Sequence, residues 1–167
     1  MGVDAGKAAD QAQDVSRKLA TTIKLVMAAQ ARLREVVVAV SEVDLASNRF
    51  RLAPIKDRFK SPLDSIAALQ VEPGAEDVLK DVRQMAAGLF EVATKDGSGL
   101  LALRAVALSS KTPEADAAYA KQRKALLDPV EQQVGKLGSV LDNTEAQAAR
   151  QRQVLEAALK LRNEPGG

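Results

Sequence analysis

Histidine and cysteine are both absent from this chain of 167 residues, and each absence excludes a set of chemistries. Without a thiol there is no disulfide, no thiolate metal site and no cysteine nucleophile. Without an imidazole there is no Ser-His-Asp hydrolysis, no histidine-ligated zinc or haem and no histidine phosphotransfer. Tryptophan is absent too, and the aromatic side chains number four: Phe50, Phe59, Phe90 and Tyr119. A core so poor in rings must be built from Ala, Leu and Val, which suit long helices packed side by side.

Charge of one sign is also lacking. Lys and Arg number 24 against 22 Asp and Glu, a net charge of +2, and the two signs alternate along the chain. Nucleic-acid binders concentrate positive charge on one face. The small basic clusters Lys56/Arg58/Lys60, Lys121/Arg123/Lys124 and Arg150/Arg152 read as solvated helix faces, so no nucleic-acid partner is expected. The most apolar stretch, Val36–Val40, falls far short of the roughly 20 residues of a membrane span. Phosphate-cradling glycine motifs do not occur, and Gly97-Ser98-Gly99 is too short to act as one. Carboxylate pairs such as Glu42/Asp44, Asp77/Asp81 and Glu114/Asp116 lack the spacing of a bundle metal site. The chain is therefore expected to be a non-enzyme without cofactor or metal.

What is present is helical periodicity. From about Asp10 to Leu52 neither Pro nor Gly occurs, and Val15, Leu19, Ile23, Val26, Leu33, Val37 and Val40 trace one face. A helix of that length spans roughly 65 Å and needs partners along most of its apolar stripe. Pro54 is expected to end it, and Ser61-Pro62 to start the next as N-cap and first helical residue. Glu72-Pro73-Gly74 reads as a turn or kink. Val78, Val82, Met85, Leu89 and Val92 then form a further stripe, up to the loop Asp96-Gly97-Ser98-Gly99. Thr112-Pro113-Glu114 and Asp128-Pro129 are later cap or kink signals. Beyond them Val130, Val134, Leu137, Leu141, Thr144, Ala148, Gln151, Leu155 and Ala158 follow a heptad seam.

Four arms of about 43, 34, 30 and 33 residues result if the chain turns at Asp128-Pro129. The expected fold is thus all-α, an antiparallel up-down-up-down four-helix bundle with long, Pro-kinked helices over 10–162, between flexible segments 1–9 and 163–167. A single final helix running through Pro129 is the alternative, since Leu126 and Val130 keep one phase across it. Gly135 and Gly138 weaken that helix, and close approach of a neighbour is the expected compensation.

The seam of the first helix turns polar at its end, running Leu33, Val37, Val40 and then Asp44, Ser47 or Asn48, and Arg51. Buried charge needs a partner. Either the helix frays there, or a pocket lies at that end, with Arg49 or Arg51 gripping a carboxylate ligand and Asp44 and Asn48 beside it.

The long first helix ending in Ser47-Asn48-Arg49-Phe50-Arg51-Leu52, and the late Leu127-Asp128-Pro129-Val130 before an Ala- and Gln-rich heptad helix, give the chain a resemblance to a known group. It is similar to the extracytoplasmic helical-bundle sensor domains of bacterial methyl-accepting chemotaxis receptors and related sensor kinases. The resemblance implies a periplasmic location, transmembrane helices flanking the domain, a homodimer, and a small ligand such as an organic acid or amino acid bound between helices. It also implies signalling by displacement of the last helix. A phasin-like coat on a granule or lipid surface, or a structural adaptor bundle, are the competing readings.

Overall fold

The computed structural model describes residues 2–71 and 75–163, side chains excepted at 2–5 and 162. Five helices account for most of it, with no strand among the described residues: α1 Gly2–Leu45, α2 Ile55–Ala67, α3 Glu76–Thr94, α4 Leu100–Ser110 and α5 Pro113–Asn163, with a short 3-10 turn at Arg49–Arg51. The all-α class follows from the sequence. The expected Glu72-Pro73-Gly74 turn lies outside the described residues.

Two helices dominate. α1 has 44 residues and α5 has 51, about 66 and 76 Å at the helical rise. They run antiparallel. Gln30 Nε2 lies against Gly138 and donates to the Val134 carbonyl at 3.4 Å, while Arg123 Nε meets Asp44 at 3.0 Å. Moving up α1 from Gln30 to Asp44 thus moves down α5 from Gly138 to Arg123. None of the nine predicted seam residues from Val130 to Ala158 is classed as exposed. On α1 the matching seam runs Ala9, Ala12, Ser16, Leu19, Ile23, Val26, Gln30, Leu33, Val37, Val40 and Asp44, again without an exposed member. Steps of three and four on both helices make this a heptad contact.

α2, α3 and α4 do not follow the long pair along its length. They gather around residues 26–55 and 107–137, where the apolar core lies. Phe59, Leu33, Ile66, Leu79, Leu126 and Leu137 are fully enclosed there, each contributing about 1.5–3 kcal/mol through burial. The rest of α1 and α5 forms a two-helix stalk whose buried residues are small: Ala9, Ala12, Thr22, Thr144 and Ala158. The molecule is a head on a stalk.

Four boundaries differ from the sequence reading. α1 starts at Gly2 and ends at Leu45, seven residues before Leu52, because Asn48 turns the chain: its side chain accepts from the Phe50 and Arg51 amides at 3.0 and 3.2 Å. Pro54, not Ser61, precedes α2, and Pro62 sits buried inside that helix. α5 passes through Pro129 unbroken. Leu126 and Val130 are both fully buried on one face, and that packing outweighs the hydrogen bond the proline withholds from Ala125. The expectation of four similar arms failed because short helices need not reach the end of long ones when a seam of small residues lets the long pair continue alone.

Candidate functional site

The stalk-distal end of the head carries the charged features, and it is built around the end of α1. Asp44 holds the seam position after Val40, and α5 supplies its partners. Tyr119 donates its hydroxyl to Asp44 Oδ1, and Arg123 donates through Nε to both carboxylate oxygens at 3.1 and 3.0 Å and pairs through its outer nitrogen at 3.0 Å. From α4, Arg104 donates to the Asp44 and Ala46 carbonyls at 2.9 and 3.3 Å, satisfying acceptors that a helix end leaves open. Its guanidinium also lies 5.3 Å from the centroid of the Tyr119 ring. Burial pushes the Tyr119 hydroxyl well above its ordinary pKa, and the hydrogen bond to Asp44 and that carboxylate's charge push it further. The hydrogen bond to Asp44 likewise raises Arg123. The polar end of the α1 seam is therefore an internal clasp, with Asp44 committed to the protein's own cations.

The other expected ligand residues separate. Asn48 spends its side-chain oxygen on the turn it caps. Arg49 and Arg51 are both exposed and border different grooves on either side of that turn. Arg51 borders one with Leu45, Phe50, Glu42 and Arg58, in which Arg58 is already paired with Glu42 at 2.9 Å. Arg49 borders the other, a groove of about 370 Å³ between the 49–56 segment, the α3–α4 loop and α4. The structure thus brings Arg49 together with neither Asp44 nor Arg51 in one site.

The Arg49 groove is the better candidate for a ligand. Lys56 from the first turn of α2, Lys95 from the end of α3 and Asp96 from the loop share its lining, over a floor that includes Leu52, Leu101 and Ala105. The loop is held tightly. Gly99 donates its amide to the Lys95 carbonyl at 2.8 Å, and a Cβ at Gly99 would stand 2.5 Å from the Lys95 nitrogen. Gly97 adopts φ +78, a conformation that favours glycine. Sequence reasoning found the loop and Arg49, read Lys56 as part of a solvated basic cluster and did not single out Lys95; these side chains meet only in three dimensions.

No group of acidic residues suited to a metal ion is found among the described residues, and no helix of them is long and apolar enough to cross a membrane. No protein-family model, curated protein or solved structure matches the chain.

Proposed function

We propose that this chain is the extracytoplasmic sensor domain of a bacterial transmembrane receptor of the chemotaxis or sensor-kinase kind, taking up a small ligand at the head and signalling by displacement of α5 against α1. One observation carries the reading. The start of α1 and the end of α5 lie together at the foot of the stalk, while the cationic groove lies at the far end, so a signal has a continuous two-helix path between them. Both helices would continue into membrane-spanning segments. The stalk part of their seam includes the small side chains of Ala9, Ala12, Ser16, Thr144, Ala148 and Ala158, whose shallow ridges let one helix shift along the other at low cost.

In this reading the head is an up-down-up-down bundle of α1, α2, α3 and α5. The Glu42–Arg58 pair, the Gln122 bond to the Val92 carbonyl at 3.1 Å and the Gln30–Val134 contact support alternating directions. Two copies pair along α1, where Met27, Val38 and Leu45 share one exposed face. A granule or lipid coat would need apolar faces free to detach, whereas here the large apolar side chains mostly close into a core.

Fractionation of the native cells, followed by an antibody against the folded chain, tests the proposal. The expected product is in the inner-membrane fraction and is cut by protease added to spheroplasts. A product found in the cytosol, or protected in spheroplasts, overturns it.

A further inference from the structure

We infer that the Arg49 groove binds a small organic dianion with an apolar body, two carboxylates on a ring being the simplest case. Charge fixes the valence. Three cations, Arg49, Lys56 and Lys95, share the groove with one carboxylate, Asp96, which leaves a local charge of +2 for a ligand to meet. None of the three cations is in an ion pair in this structure, as holds for most of the described Lys and Arg side chains, so all three charges are open to a ligand. Lys56 stands in the first turn of α2, at the positive end of the helix dipole, with the Asp57 carboxylate next to it in the same turn but outside the groove lining. Arg49 rests 5.3 Å from the exposed ring of Phe50, which borders the neighbouring groove, and its long side chain must turn from that ring to bring the guanidinium fork onto a carboxylate in this one.

The floor sets the rest of the chemistry. Leu52, Leu101, Ala102 and Ala105 present hydrocarbon between the cations, which a compact inorganic anion would leave uncovered and a ring or short chain would bury. A volume of about 370 Å³ is at the small end of ligand sites. The same helix that forms the floor carries Arg104, tied to the end of α1 and stacked on Tyr119 of α5, so a ligand resting on α4 presses on the clasp between the two stalk helices.

The physiological purpose of such a ligand rests on the sensor reading, while the binding is tested on the chain itself. Calorimetric titration at low salt compares isophthalate with benzoate, which has the ring but one charge, and with sulfate, which has two charges and no ring. Isophthalate is expected to bind at least about tenfold more tightly than either. Arg49→Met and Lys95→Met each weaken it about tenfold, Asp96→Asn tightens it, and Lys18→Met on the stalk leaves it unchanged. All four positions are exposed, and circular dichroism checks that the fold is kept. Sulfate or benzoate binding as tightly as isophthalate, no heat with any of the three, or insensitivity to Arg49→Met and Lys95→Met overturns the inference. A membrane-anchored chain that fails this titration keeps the sensor reading and loses the groove. A cytosolic chain that passes it keeps the groove and loses the sensor.

Discussion

Tyr119, in the second turn of α5, donates a hydrogen bond from its hydroxyl to the carboxylate of Asp44, the residue before the last of α1. This bond and the Arg123 pair beside it close the stalk-distal end of the two longest helices, and Arg104 brings α4 into the same clasp. The ring is buried with its polar tip satisfied, which is how a lone tyrosine is accommodated in an aliphatic core.

The first prediction follows from the raised hydroxyl. The folded state favours neutral Tyr119, so its contribution is complete below the unfolded pKa of about 10 and is lost as pH rises above that value. Stability of the native chain should therefore fall with pH above about 10 more steeply than that of Tyr119→Phe. The chain has one tyrosine and no tryptophan, so tyrosinate absorbance reads this group alone. Ionisation near pH 10 in the folded protein would refute the buried bond. At neutral pH Tyr119→Phe should cost about 1–2 kcal/mol in urea unfolding, because Asp44 keeps Arg123.

Glycines give a second prediction, one of opposite signs. Gly88 and Gly135 are helical and exposed, and a Cβ built on either meets nothing within 4 Å. Gly88→Ala and Gly135→Ala should each raise stability by about 0.5–1 kcal/mol. Close helix approach therefore does not account for Gly135. At Gly138 the neighbour is Gln30 Nε2, at an ordinary contact distance of 3.5 Å. Gly99→Ala should lower the melting temperature, since its Cβ would collide with the backbone of Thr94 and Lys95.

How much of this was legible depended on whether a feature repeats. The α5 heptad from Val130 to Ala158 was read position by position, because a seam that recurs nine times outweighs any one residue. Carried back through Pro129, the same phase reaches Leu126, Arg123 and Tyr119, and a cation at a seam position facing Asp44 was the available clue to the clasp. It was masked by Lys121 and Lys124, which made Arg123 look like part of a solvated cluster. The end of α1 was missed for another reason. Asn48 stops the helix by a cap of its own, without proline or glycine, so the next proline, Pro54, drew the boundary too late. Arg49 could be singled out by residue type, but its separation from Arg51 depends on the geometry of one 3-10 turn.

A third prediction concerns a buried polar residue of α5 that lies beside the seam. Gln133 is buried, and its Oε1 has no hydrogen-bond partner. An unsatisfied buried acceptor costs about 1–3 kcal/mol, so Gln133→Leu, close in volume, should raise stability in urea unfolding by about 1 kcal/mol. Leu33→Ala, at about the same level on α1 and fully buried, should lower it by about 2–5 kcal/mol through lost burial and the cavity left behind. If Gln133→Leu destabilises instead, its oxygen has a partner and the polar side chain is required at that buried position of α5.

The last prediction separates stalk from head. Leu33, Val36, Val40, Leu126 and Leu137 enclose large apolar side chains against several helices, whereas Ala9, Ala12, Thr22, Thr144 and Ala158 bury small ones between two. Area-proportional burial then stabilises each turn of the stalk much less than each turn of the head, and an isolated helix pair gains nothing from other neighbours. The amides of residues 6–20 and 145–160 should therefore exchange with solvent roughly 100-fold faster than those of residues 26–43 and 126–137, a gap of about 2.7 kcal/mol in local opening. Hydrogen exchange followed by mass spectrometry resolves the two sets. Uniform protection along α1 would mean that stalk and head open as one unit, leaving the foot too stiff for displacement of α5 alone. Graded protection, lowest at the foot, would mean that the stalk seam opens independently of the head, as the proposed displacement of α5 requires.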